Sequence, residues 1–317
     1  MISASDPGNS STIRVANAPC SWGTLEFKGL GEAQVDCTVM LKELAETGYT
    51  GTELGDWGYM PVEAAALKRL LGRWDLSLRG AFVPVALSDL DRHSAGVGNA
   101  VRTANLLAAA GDPADPPFLV LADENAANPM RIQHAGRISS EQGMTRNQWE
   151  IFINGAHLVA SAVREETGLK TVFHHHCAGF VETPEEIDYL LSKTDPQLIG
   201  LVLDTGHYVY GAGGRSINLK EIFDQYADRI WYVHFKDCDP HVAEAARRQG
   251  WDYFEAVGRG LFCELGQGCV DFSGILTSLR EIDYEGWIIV EQDVLPGMGA
   301  PRLSAARNRS YLRNLGV

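Results

Sequence analysis

Gly200-Leu201-Val202-Leu203-Asp204-Thr205-Gly206-His207 is a short apolar run that stops on a carboxylate and reaches a histidine three residues later. Such a run reads as a strand buried on both faces, the kind found in parallel sheets. A carboxylate at its end is costly unless a cation or hydrogen bonds compensate it. Three other runs share the design: Phe173-His174-His175-His176, Val233-His234-Phe235-Lys236-Asp237 and Val290-Glu291-Gln292-Asp293. Each passes from strand to loop, so their polar groups share one edge of a parallel sheet, the edge where α/β enzymes keep their chemistry. Together they argue for one divalent cation held by His174, Asp204, His234 and Glu291, since imidazole with carboxylate suits Mn, Fe, Co, Zn or Mg.

Outward from these runs, β-rich segments alternate with amphipathic ones along the whole chain. Strands are expected at 13–18, 51–54, 77–83, 118–121, 170–174, 199–203, 230–234 and 287–291. Thr145-Arg146-Asn147-Gln148 has the form of a capping box, and Trp149, Phe152, Ile153, Ala156, Val159, Ala160 and Val163 then recur at helical spacing. Thr183-Pro184-Glu185-Glu186 opens a second helix, Asp271 caps another, and a last one is expected over 304–315. Eight strand–helix pairs predict a single (β/α)8 TIM barrel spanning residues 1–317, with 1–11 as a flexible N-terminal segment. The long connections 122–144, 211–218 and 239–270 are expected to lie over the barrel mouth.

A formal net charge of -14 opposes a phosphate-backbone partner, so no nucleic acid is expected. The six cysteines contain no C-x-x-C pair, which argues against a disulfide framework or zinc ribbon. No secretory start is legible, and no stretch reaches the roughly 18 apolar residues that mark a membrane span. The reading is a soluble cytoplasmic protein with no membrane partner; a homo-oligomer is compatible with it. Gly211-Ala212-Gly213-Gly214 and Gly258-Arg259-Gly260 lack the strand–turn–helix setting of a nucleotide loop, and no G-x-S-x-G elbow occurs.

Several residues carry two readings. Asp204 is a ligand or the cap of the next turn. Lys236 shares the side of His234, with Phe235 opposite, and either stabilises an oxyanion or pairs with Asp237. Glu291 is a ligand that can also serve as catalytic base, or a partner in a salt bridge. Among the histidines, His174 is taken as the ligand and His176 as a substrate or proton-transfer residue, with the two roles exchangeable. His207 is expected to face substrate rather than metal. Glu53, beside Trp57 and Tyr59, either orients a polyol or caps a helix, and Asn17 and Trp22 at the end of the first strand raise the same choice.

With these residues placed, the chain resembles the xylose-isomerase-like barrel superfamily along nearly all its length, and within it the inosose dehydratases. The resemblance rests on Asn17-Ala18-Pro19-Cys20-Ser21-Trp22-Gly23, the His174–His176 run, Leu203-Asp204-Thr205-Gly206-His207, His234-Phe235-Lys236-Asp237, Glu264-Leu265-Gly266-Gln267-Gly268 and Glu291-Gln292-Asp293. It implies a cation held from the fifth to eighth strands by Glu, Asp, His and Glu. Asp204, His234 and Glu291 match the last three, but His174 stands where relatives have glutamate. One carboxylate fewer favours a borderline transition metal, Mn or Co first, then Zn or Fe, over Mg.

The implied substrate is a cyclic polyol or ketose, and the implied reaction is dehydration of 2-keto-myo-inositol in inositol catabolism. Glu291 would abstract the α-proton to give an enediolate, and His176, His207 or Lys236 would assist loss of the β-hydroxyl. Isomerisation or epimerisation of a ketose shares the first half of that path and is the alternative. Two other classes are an abasic-site nuclease, opposed by the acidic charge, and a barrel that binds without turnover.

Overall fold

The computed structural model describes residues 13–23, 35–295 and 297–317. The expectation of a flexible segment at 1–11 lies outside them. Eight parallel strands close into a barrel: β1 Arg14–Asn17, β2 Gly51–Glu53, β3 Ser77–Val85, β4 Phe118–Asp123, β5 Thr171–His174, β6 Ile199–Asp204, β7 Ile230–Phe235 and, last in the chain, β10 Trp287–Val290. Around the ring the order is β1-β10-β7-β6-β5-β4-β3-β2, each strand hydrogen-bonded to its sequence neighbour in the barrel. The expected (β/α)8 barrel is therefore present.

The pleat sorts each strand's residues into two layers. Val15, Leu119, Leu121, Phe173, Leu201, Leu203, Val233, Phe235, Ile288 and Val290 face outward into the main core against the helices. Ala16, Val120, Val172, Val202, Tyr232 and Ile289 form a separate inner cluster. One period above four of these inner residues, on the same side of their strands, come His174, Asp204, His234 and Glu291. Closure of the barrel thus turns four distant positions into neighbours.

Helix ends follow the expected chemistry. The capping boxes of Arg146–Thr167 and Pro184–Lys193 are both formed, by Thr145 with Gln148 and by Thr183 with Glu186. The former helix buries Trp149, Phe152, Ala156, Val159, Ala160 and Val163 on one face. Asp271 caps Phe272–Glu281, and the last helix begins at Pro301, slightly earlier than its apolar pattern suggested.

The long connections carry structure of their own. Residues 122–144 include the helix Pro129–His134, anchored by the buried pair Arg131–Glu186 at 2.7 Å. After β7 the chain forms a two-stranded antiparallel ribbon, β8 Asp237–Cys238 with β9 Phe262–Cys263, and the helices Pro240–Gln249 and Tyr253–Gly258 lie between its strands. Among the described residues no helix is long and apolar enough to cross a membrane.

Candidate metal centre and active site

Asp204 combines both roles considered for it. Its Oδ1 accepts the amide of His207 at 2.8 Å and so caps the short helix Thr205–Gly211. Its Oδ2 is buried with no hydrogen-bond partner among the described residues. That bare oxygen faces His174 Nε2 at 3.7 Å and His234 Nδ1 at 3.9 Å, and Glu291 Oε1 lies 3.1 Å from the same His234 nitrogen. One ligand atom from each of His174, Asp204, His234 and Glu291 falls within 4.8 Å of all the others. Two imidazoles and two carboxylates around an unpartnered oxygen fit one divalent cation of the borderline kind.

The electrostatics agree with that fit. Burial, with nearby His234, holds His174 down to about 3, so it stays neutral and able to donate a lone pair. Burial alone would also lower His234, yet Glu291 and Glu53 on its two nitrogens outweigh it and push it up to about 10. Without a cation, a proton on His234 therefore offsets part of the charge on the surrounding carboxylates. Burial opposes the charged form of Glu291, but His234 and Lys236 keep it well below the ordinary carboxylate range.

Lys236 is held from several sides. Its backbone N–H donates to Thr205 Oγ1 at 3.0 Å, and that hydroxyl donates to the Lys236 carbonyl at 2.6 Å. Its ammonium sits 3.2 Å from Glu291 Oε2 and 3.3 Å from Asp293 Oδ2. A Cβ on Gly206 would come within 2.7 Å of the Lys236 side chain, so glycine leaves that path open. Desolvation disfavours the ammonium, but Asp293, Glu291 and Asp204 raise its pKa well above the ordinary lysine value.

Asp237 does not pair with Lys236. β7 ends at Phe235 and a separate strand begins at Asp237, whose carboxylate accepts the amides of Cys238, Gly266, Gly268 and Val270 at 2.8–3.1 Å. The alternative of a Lys236–Asp237 pair is replaced by a carboxylate that organises the Glu264–Gly268 stretch.

The three adjacent histidines separate as strand alternation requires. His174 faces the cluster. His175 is turned away, with its Nε2 accepting the Asp204 amide at 3.2 Å and its ring edge-on to Tyr208. His176 lines the mouth, and its Nδ1 lies 2.6 Å from the Cys177 carbonyl, a contact that favours the ring proton on that nitrogen. Burial, helped by His174 and Lys236, holds His176 down to about 3, so the ring is neutral.

His207, Trp22 and Asn17 depart from their expected place against substrate. His207 is fully buried behind the mouth, its ring 3.8 Å from that of His176 and its Nε2 3.5 Å from the Lys236 ammonium. The helix begun at Asp204 turns it inward, giving it a supporting position. Trp22 is buried in the main core, and its indole N–H donates to Glu43 at 2.8 Å. Asn17 has the outward parity of Val15, whereas Ala18 lies on the mouth, so strand alternation carries Asn17 away from the cavity. Glu53 does line the mouth, and it also lies 3.1 Å from His234 Nε2.

Other mouth residues carried weaker sequence signals. Asp293, two residues beyond Glu291, shares its side by the period of an extended chain, and burial raises its pKa. Asn125 reaches His176 Nδ1 at 3.2 Å from the 122–144 connection, which has no periodicity to read. Tyr253 and Phe254 reach the mouth on the helix capped by Asp252; the Asp252–Glu255 spacing was its available signal.

Residues 41–315 match the model of the xylose isomerase-like TIM barrel family, and the chain belongs to that family. It is 34% identical over 303 residues to an inosose dehydratase of Geobacillus kaustophilus (strain HTA426), covering 96% of this chain and 94% of that one. Its fold is similar to that of D-allulose 3-epimerase from Methylomonas sp. in complex with D-allulose, with TM-score 0.67 and 16% identity over 95% of this chain and 96% of the other. It is also similar to the IOLI protein with a binding zinc atom, at TM-score 0.66 and 15% identity, covering 96% and 98% of the two chains. The chain is accordingly an enzyme of the sugar-modifying barrel kind.

Proposed function

We propose that this chain is a metal-dependent hydro-lyase that dehydrates a keto-inositol, with 2-keto-myo-inositol as reference substrate, and that it serves inositol catabolism. The observation that carries the reading is the convergence of His174, Asp204, His234 and Glu291 in a chain 34% identical to an inosose dehydratase over 96% of its length. These residues would hold one divalent cation, Mn or Co in preference to Zn, Fe or Mg, and a cation there supplies a Lewis acid that makes the carbon beside a ketone acidic.

The side chains divide the remaining work. Glu291, kept ionised by His234 and Lys236, takes the α-proton. The electron pair of that C–H bond becomes a carbon–carbon double bond as the β C–O bond breaks. Lys236 donates to the departing hydroxyl, so a proton and a hydroxide leave the substrate as water. His176, with its proton committed to the Cys177 carbonyl, offers Nε2 as acceptor for a substrate hydroxyl. His207 keeps Lys236 and His176 in place from behind.

The mouth favours a neutral substrate. Glu53, Asp56, Glu291 and Asp293 line it, and Lys236 is the one lysine or arginine among its described lining residues. A phosphorylated sugar or a nucleic-acid backbone would meet an acidic wall.

Incubating Mn-loaded protein with 2-keto-myo-inositol in deuterated water tests the assignment. The expected product has lost water and carries a new unsaturation. Deuterium entering the substrate without loss of water would replace this reading with epimerisation, and absence of both would reject both.

A further inference from the structure

We propose that Glu53 is a positioning residue that fixes His234 with its proton on Nε2, so that Nδ1 is the nitrogen presented to the cation. The inference rests on the four-residue metal site and deepens it by assigning a role outside the ligand set. His234 is approached from both sides: Glu53 Oε1 is 3.1 Å from Nε2, and Glu291 Oε1 is 3.1 Å from Nδ1. A carboxylate oxygen accepts only, so the Nε2 contact needs a proton on that nitrogen, and once a cation occupies the cluster Nδ1 is the bare one.

The approach of Glu53 is built into the barrel. Glu53 ends β2, whereas His234 lies on β7, with β1 and β10 between them in the ring. The β2–β3 register slips between Thr52 and Glu53, whose partners are Leu78 and Gly80, so Arg79 is an extra residue on β3. Irregularities of this kind re-aim a side chain. Here the residue opposite Glu53 is a glycine, and a Cβ on Gly80 would come within 3.3 Å of the hydroxyl of Tyr232, whose ring packs edge-on against His234. The Glu53 and His234 side chains are both almost completely buried, at 5% and 1% exposure, so water competes little for their contact.

Carboxylates on the far nitrogen of a ligating histidine typically contribute ~10–100-fold to metal affinity. The test is Mn affinity by equilibrium dialysis for wild type, Glu53→Gln and Glu53→Met, with the thermal melting of each metal-free protein as the folding control. Gln keeps an oxygen acceptor for Nε2–H; Met keeps the length without one. The inference expects Met to lose ~10–100-fold in affinity and Gln to recover most of that loss, at matched folding. Wild-type affinity in Glu53→Met would overturn it. Equal losses in both variants would also overturn it, by pointing to charge rather than the hydrogen bond.

A crystal structure of the Zn-loaded wild type gives a second readout that needs no variant. Nδ1 at the metal and Nε2 on Glu53 is the expected arrangement, and the reverse contradicts the inference. Failure of wild type to bind any cation would instead reject the metal site itself.

Discussion

Glu291 is asked to do two things, and its surroundings allow both. One oxygen lies beside His234 in the cluster and the other beside Lys236, and the positive charge on those neighbours keeps the group ionised. Replacing Glu291 with Gln keeps the shape and removes the base. The expected outcome is loss of dehydration rate by at least ~100-fold, the lower end of a general base's contribution, with the fold unchanged by circular dichroism. Dehydration near the wild-type rate would assign the base elsewhere, Asp293, which lines the same mouth, being the next carboxylate to examine. At this scale the sequence was readable because an ionisable residue at the end of an apolar strand is expensive and therefore conspicuous. It misled where parity or a local turn decided orientation. Asn17 sits one residue off the mouth side of β1, and His207 is carried behind the cavity by the helix that Asp204 caps.

The elements around the mouth depend on single buried carboxylates that collect backbone amides. Asp237 accepts four, three of them from the segment that follows β9, and a Cβ at Gly268 would come within 2.3 Å of its Oδ1. Asp237→Asn replaces one acceptor oxygen by a donor and sets it against backbone N–H groups. We expect a stability loss of about 2–4 kcal/mol, measured by urea unfolding. A loss below ~0.5 kcal/mol would show that the segment is held by other contacts.

Glu182 makes a similar device between the 122–144 connection and the loop after β5, accepting the amides of Gly136 and Ala178 at 2.7 and 2.9 Å. Burial outweighs Arg131 and those amides and pushes it up to about 7 from its ordinary 4.5. Between those two values the folded chain keeps a proton that the unfolded chain has released, so this group's contribution to stability falls as pH rises through the window. Relative to wild type, Glu182→Gln should gain up to about 3 kcal/mol between about pH 4.5 and pH 8. A difference independent of pH would contradict the assignment.

These supports were hard to read in advance. A strand or helix declares itself by periodicity over several residues, whereas Asp237 and Glu182 act through amides brought together by tertiary structure. The helices inside 122–144 and 239–270 are short, and their caps, Asn128, Asp239 and Asp252, were the signals available.

For the whole molecule, the alternation of apolar runs and amphipathic helices was enough to predict the barrel, because eight parallel strands with covering helices leave few other ways to bury both faces. The same closure explains the site. His174, Asp204, His234 and Glu291 are spread over more than a hundred residues, yet each stands one pleat above an inner-layer residue of its strand. Their convergence is a property of the closed ring that no local segment carries, and the central claim is that it holds one cation. Anomalous diffraction from crystals grown with manganese tests this most directly. One strong peak is expected, with an atom from each of these four residues at about 2.0–2.4 Å. A mouth without a peak, or a peak ligated elsewhere, would contradict it.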